Sequence, residues 1–290
     1  MLCRLGQIYV RREIFAPLNF GIFSMKLIFS RKGFDSSAGG FPSPIINGKP
    51  ISLPIPYSRS GVSYQHINLG KMVEDLTAGK LVARDFCHND PDLEMGAFGQ
   101  VNSAQSHLQN QNVGVGDLFL FFGWFREAEV VDNNYRYKRD AIEHHRIFGW
   151  MFIDQKFKVG SHTEEFRHEF TKYADHPHAM GKWTPNNTIY LASETVSLFG
   201  EHTVRGFGNF SASSRTLLTN QNAPSKRFWG VPDWLNPSKG GCIPTYHDER
   251  SYVDGLLKTA GRGQEFVCHP HENNNFKEWL LDLFSEEIIS

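Results

Sequence analysis

Gly116-Asp117-Leu118-Phe119-Leu120-Phe121-Phe122-Gly123-Trp124-Phe125 is the stretch whose reading decides the fold. A Gly-Asp turn leads into an almost wholly apolar run. That run is far shorter than the roughly 18 apolar residues a membrane helix needs. Short, aromatic and bounded by turn residues, it reads as a strand buried on both faces. After a polar stretch, residues 127–143, read as a loop, the same character returns in Arg146-Ile147-Phe148-Gly149-Trp150-Met151-Phe152, with the strand running on to Ile153. Upstream, Lys26-Leu27-Ile28-Phe29-Ser30 forms another strand.

Further out, residues 188–193 read as a strand and residues 216–219 as a short one. Asn47-Gly48 is a hairpin turn signal between apolar flanks. Residues 66–81 carry Leu69, Met72, Val73 and Leu76 at helical spacing, with Gly79 as the stop. Residues 103–109, 164–173, 252–257 and 277–284 also read as helices. Asn89-Asp90-Pro91-Asp92 reads as a helix or turn start, with Asp90 as cap and Pro91 in the first helical position. The sum predicts an α+β chain, mixed, with a β-rich core and peripheral helices, folded as one unit over residues 25–290. Residues 1–24 read as an upstream extension, with Met25 as the true start.

Hydrophobic residues make up 40% of the chain, enough to fill a core and to exclude disorder as the main state. Lys plus Arg number 30 against 31 for Asp plus Glu, which argues against a broad non-specific nucleic-acid surface and leaves room for a local basic groove. Cys3, Cys87, Cys242 and Cys268 are far apart and form no CxxC pair, so neither a zinc ribbon nor a disulfide framework is indicated. That usage predicts a reducing compartment, the cytoplasm, and no apolar run predicts a membrane span.

Three groups of polar residues are candidates for chemistry. Arg31, Lys32 and Asp35 sit in a glycine-rich loop after the first strand, where free backbone N–H groups and two cations can hold phosphate; a surface turn of solvated charges is the plainer reading. His88, Asp90 and Asp92 suit metal binding or proton transfer if the segment is extended, against the plainer reading in which Asp90 caps a helix and Asp92 complements its dipole; Gln100 and Gln105 just downstream can read a base edge or equally be surface amides. His176-Pro177-His178 and Cys268-His269-Pro270-His271 have ligand-like spacing but read as ordinary loop histidines, so no metal site is predicted. A nucleophile elbow and a complete dinucleotide fingerprint are both missing.

The two apolar strands flanking residues 127–143 resemble the central hairpin of PUA-like barrels, including the EVE and ASCH branches. That resemblance implies a small barrel holding a base between aromatic rings, with Trp124, Phe125 and Trp150 as candidate rings or, equally, as core. A wider resemblance runs through Ser30-Arg31-Lys32-Gly33-Phe34-Asp35-Ser36-Ser37 with Gly39-Gly40, Ser43-Pro44-Ile45, Ser52-Leu53-Pro54-Ile55-Pro56 and Asp90-Pro91-Asp92-Leu93. It continues through Gly99-Gln100 with Ala104-Gln105, the run from Gly116 to Phe125, His176-Pro177-His178 and Trp229-Gly230-Val231-Pro232. From Met25 onward the chain thus resembles the nucleotide modification associated domain 3 family of bacteria and their phages. The resemblance implies association with modification of a nucleotide or DNA base, with nucleotide or DNA as partner, and implies no established mechanism or cofactor. Two readings follow: an enzyme whose cations hold phosphate while a carboxylate or His88 moves a proton, or a non-catalytic recognition module binding modified bases in an aromatic slot.

Overall fold

The computed structural model describes residues 19–20, 25–58, 61–270 and 274–289. In chain order the strands are β1 (Asn19–Phe20), β2 (Leu27–Arg31), β3 (Ser43–Ile46), β4 (Lys49–Pro50), β5 (Ala97–Gln100), β6 (Leu118–Val131), β7 (Asn134–Tyr137), β8 (His144–Lys158), β9 (Thr188–Ala192), β10 (Thr195–Leu198), β11 (His202–Arg205), β12 (Phe207–Asn209), β13 (Phe228–Gly230), β14 (Tyr252–Val253), β15 (Leu256–Lys258) and β16 (Glu265–Cys268). The α-helices are α1 (Gly70–Leu76), α2 (Asn102–Asn110), α3 (Thr163–Glu169) and α4 (Asn274–Leu283). The expectation for residues 1–24 falls outside the described residues, apart from the backbone of Asn19–Phe20, which runs parallel to β10.

The apolar run forms the first half of β6 and lies at the centre of the main sheet, whose path is β16-β2-β6-β8-β9-β5. β2 runs parallel to β6, while β16 on β2, β8 on β6, β9 on β8 and β5 on β9 are antiparallel. Period-two alternation sends Leu118, Leu120 and Phe122 to one core and Phe119 and Phe121 to the other. Both faces are therefore dry, which is why the run shows no polar alternation. On one face α4, with Phe276 and Leu280, and Phe284 just after it join a cluster with Trp150, Trp229 and Phe152. The other face gathers Ile28, Phe98, Met151, Tyr190 and Val267, one from each remaining strand of the path, so the sheet curls around this cluster.

The curl does not close into a barrel among the described residues. β16 and β5 remain the ends of the path, and a side-chain bond stands where a ladder would be: Gln100 Nε2 donates to Glu265 Oε1 at 2.6 Å. The closed PUA-like barrel expected from the central hairpin is thus absent from the described residues, and the gap between the edge strands becomes a cleft.

Several elements differ from their sequence reading for local reasons. Residues 127–143 contain a hairpin rather than an open loop: β6 continues to Val131 and turns back into β7 through Asp132 and Asn133, at φ 49° and 59°. Residues 252–257 are the β14–β15 hairpin, not a helix, because Asp254-Gly255 adopts the left-handed turn its composition favours (φ 50° and 76°). The helix expected over 66–81 shrinks to α1, since Asn68 at φ 58° breaks its start and Ala78 and Gly79, both at positive φ, end it. Residues 216–219 make isolated bridges to Arg146 and Trp229 rather than a strand. Of the helix or turn start expected at residues 89–92, the turn is found and the helix is not: the segment carries a cis Asp90–Pro91 bond and leads into a turn at 93–96. Asn47-Gly48 does turn β3 into β4.

Candidate functional site

Where the two sheet ends approach, a cleft of about 610 Å³ opens, lined among others by Arg31, Lys32, Asp35, His88, Asp90 and His178. The glycine-rich loop leaves β2 at its rim. Gly33 has φ 76°, and a Cβ there would lie 2.5 Å from Ser52 Oγ, so the loop needs glycine at that point. Asp35 shapes the loop: its Oδ1 accepts from Ser37 N, Ser37 Oγ and Ala38 N, each at 2.7 Å. Arg31 donates to the carbonyls of Ala260 (2.9 Å) and Gly261 (3.2 Å) and lies against both rings of the stacked Phe122–Phe266 pair. Lys32 Nζ bonds Glu265 Oε1 at 2.8 Å and sits over the Phe98 ring. Glu265 is only 1% exposed and takes both Lys32 and Gln100 on one oxygen. It is absent from the sequence candidates because a lone Glu at the start of a strand carries no local signal.

The opposite wall carries a histidine–carboxylate cluster. Asp90 Oδ1 accepts from Gly99 N at 3.0 Å and from His176 Nε2 at 3.1 Å. His176 Nδ1 accepts the His178 N–H, which places the ring proton on Nε2 and so towards Asp90. Asn187 Nδ2 donates to the His178 and Gly160 carbonyls, so its Oδ1 faces His178 Nδ1 at 2.6 Å as an acceptor. His178 Nδ1 therefore carries the proton and Nε2 presents a lone pair to the cleft. There it meets His88 Nε2 at 3.2 Å, and Asp90 Oδ2 is 3.8 Å from each of those nitrogens.

The cluster's electrostatics follow from its burial. Desolvation, only partly opposed by Asp90, pushes the His178 imidazole down to about 3, and it also lowers His88. Burial would raise the Asp90 carboxyl, but the His176 hydrogen bond and the charges of the surrounding histidines outweigh it and hold the group at about 2. Near neutral pH His88 and His178 are neutral imidazoles beside an ionised Asp90. His88, Asp90 and His178 are accordingly a set that can hold a metal ion.

The remaining sequence candidates scatter. Asp92 does not line the cleft: it is spent on the turn that follows it, its Oδ1 accepting from Glu94 N and Met95 N at 3.1 and 3.0 Å. Gln105 is buried and accepts from Tyr190 Oη at 3.1 Å, while Gln100 lines the cleft but is held by Glu265. Trp124, Phe125 and Trp150 form no open slot. Phe125 and Trp150 are buried in different cores, and Trp124 bonds Glu143 with Lys226 Nζ over its ring. The rings that do line the cleft are Tyr57, Trp183 and Tyr246. Trp183 stacks on His178 with centroids 4.4 Å apart and planes within 8°.

The start of α2 supplies a further feature. Its N-cap, Val101, has no side chain to cap with. The N–H groups of Ser103 and Ala104, both lining the cleft, have no partner among the described residues.

Residues 26–269 match the family model described as nucleotide modification associated domain 3. No curated protein and no solved structure matches the chain.

Proposed function

The chain belongs to the nucleotide modification associated domain 3 family, and from that membership we propose that it acts on a nucleotide, free or within DNA, in the cleft between β16 and β5. One observation carries the reading: the Arg31–Lys32–Asp35 loop, the His88–Asp90 wall and the uncapped start of α2 converge on a single cavity of about 610 Å³. That volume is within the ~300–1,000 Å³ usual for small-ligand sites.

The roles follow from chemistry. The N–H groups of Ser103 and Ala104, with the positive end of the helix behind them, hold phosphate, and Arg31 raises the local potential while Lys32 is offset by Glu265. Tyr57 and Trp183 offer faces for a base. The His88–Asp90–His178 wall supplies the chemistry, and His88 is its more accessible imidazole, its side chain 16% exposed against 2% for His178. Asp90, held by Gly99 and His176, keeps a fixed negative charge beside it. Asp35, tied into its own turn, shapes the rim.

The test is equilibrium binding of deoxynucleoside mono- and triphosphates, and of single-stranded and duplex DNA with and without modified pyrimidines, at two salt concentrations. Product analysis by mass spectrometry follows on whichever ligand binds. Salt-sensitive binding weakened by Ser103→Asp is the expected result. No binding of any nucleotide or DNA would remove the reading, and binding without any product would favour a recognition module over an enzyme.

A further inference from the structure

We propose that His88 Nε2, His178 Nε2 and Asp90 Oδ2 form a binding site for one divalent first-row transition cation, with open coordination positions facing the cleft. The argument is geometric and does not depend on the identity of the organic ligand. The three atoms are separated by 3.2, 3.8 and 3.8 Å. A circle through points so spaced has a radius of about 2.1 Å, and Zn–N and Zn–O bonds are about 2.0–2.2 Å long, so one ion reaches all three with little movement of the chain.

The surroundings aim these atoms. His178 Nδ1–H is committed to Asn187, whose amide is itself fixed by two backbone carbonyls, and this turns the Nε2 lone pair towards His88. Asp90 spends Oδ1 on Gly99 and His176, which leaves Oδ2 for the ion. His176 thus acts as a positioning residue behind the carboxylate. A hydrogen bond between each of these two groups and a neighbouring side chain is the arrangement that holds metal ligands in place. Two imidazole nitrogens 3.2 Å apart need a shared proton or a shared cation between them, because facing lone pairs repel. Gly99 lets the His178 ring approach: a Cβ there would lie 2.2 Å from it.

Ligand type selects the ion class. Two neutral imidazoles with one carboxylate suit Zn(II), Fe(II), Co(II) or Ni(II), whereas Ca(II) and Mg(II) prefer oxygen throughout. Three protein ligands leave positions for water or substrate, and all three residues line the cleft.

The test uses the full chain, stripped with a chelator and titrated with Co(II), then with Zn(II) and anaerobic Fe(II) in competition, without nucleotide. Metal content, calorimetry and the visible Co(II) absorption are the readouts. The expected result is one ion per chain, with affinity reduced at least tenfold in both His88→Gln and His178→Gln at unchanged circular dichroism. His88 is the less buried ligand, so His88→Gln carries the test if His178→Gln fails to fold. Cys242 and Cys268, buried free cysteines that do not line the cleft, are the control. Cys242→Ser is expected to leave binding intact. Absence of binding up to 1 mM Co(II), binding undiminished by His88→Gln, or binding lost in Cys242→Ser instead would each overturn the proposal. Because no nucleotide is present, its failure is separable from failure of nucleotide recognition.

Discussion

Ser103→Asp separates ligand recognition from folding, because the substitution acts on the two in opposite directions. Ser103 is exposed, sits in the first turn of α2 and lines the cleft. α2 has no acidic residue in its first turn and no side-chain cap. A carboxylate there complements the helix dipole and stabilises the fold by about 0.3–1 kcal/mol. The same carboxylate lies where the N–H groups would receive phosphate. Two unit charges about 5 Å apart repel by roughly 3 kcal/mol at an effective dielectric of 20 and by under 1 kcal/mol in bulk water. For an exposed side chain the expected penalty is about 1–2 kcal/mol, or roughly a five- to thirtyfold rise in Kd. Calorimetric titration of a deoxynucleoside monophosphate, paired with thermal denaturation, reads both quantities. Affinity should fall while Tm holds or rises, and the difference should shrink in 1 M salt, where the Debye length is about 3 Å. Unchanged affinity in a folded variant would refute the placement of phosphate at α2. Weakened affinity with a lowered Tm would show that the helix argument itself is wrong.

Trp183→Ala should weaken binding of a base-containing ligand by about 1–3 kcal/mol while leaving inorganic phosphate affinity unchanged, as fluorescence titration with both would show. His176→Phe removes a hydrogen bond to the buried Asp90 carboxylate and should cost about 2 kcal/mol of stability in urea denaturation, with Asp90 left on Gly99 alone. Gly99→Ala forces a methyl into the His178 ring and should both destabilise the fold by about 1–3 kcal/mol and weaken Co(II) binding, whereas Gly79→Ala, facing open space, tests only its positive φ. His145, buried with its Nδ1 accepting from Trp229, is pushed down to about 3 by burial and by Arg31 and Lys226 nearby. Its folded value lies below the ordinary 6.5, so the unfolded chain binds the extra proton between those limits. Stability should therefore be complete above pH 6.5 and fall by up to about 1.4 kcal/mol per unit below it, less steeply in His145→Gln. Denaturation midpoints from pH 7.5 to 5 check this.

The sheet's centre was legible because it depends on local composition. The unbroken apolar run at residues 118–125 has to be buried on both faces wherever the chain goes, and Asn47-Gly48 turns by its own backbone preference. The same turn chemistry lay in Asp132-Asn133 and Asp254-Gly255, but polar flanks hid the first and an apparent helical spacing hid the second. The cleft was legible in part: the glycine-rich loop and the His88–Asp90 segment do line one cavity. Its ligand geometry was not. Spacing two in sequence made Asp90 and Asp92 look like a pair, yet Asp92 is spent on the turn that follows it and only Asp90 lines the cleft. His176 and His178 looked like ordinary loop residues because nothing in a linear chain says that they fold against His88 and Asp90. Glu265, far from Lys32 in sequence, joins it only because β16 lies beside β2. Composition and periodicity determined which segments must be buried and where the chain must turn, since both depend on a few adjacent residues. Which buried polar atoms meet was decided by the curl of the sheet, since long-range pairing alone sets the distance between its two edges.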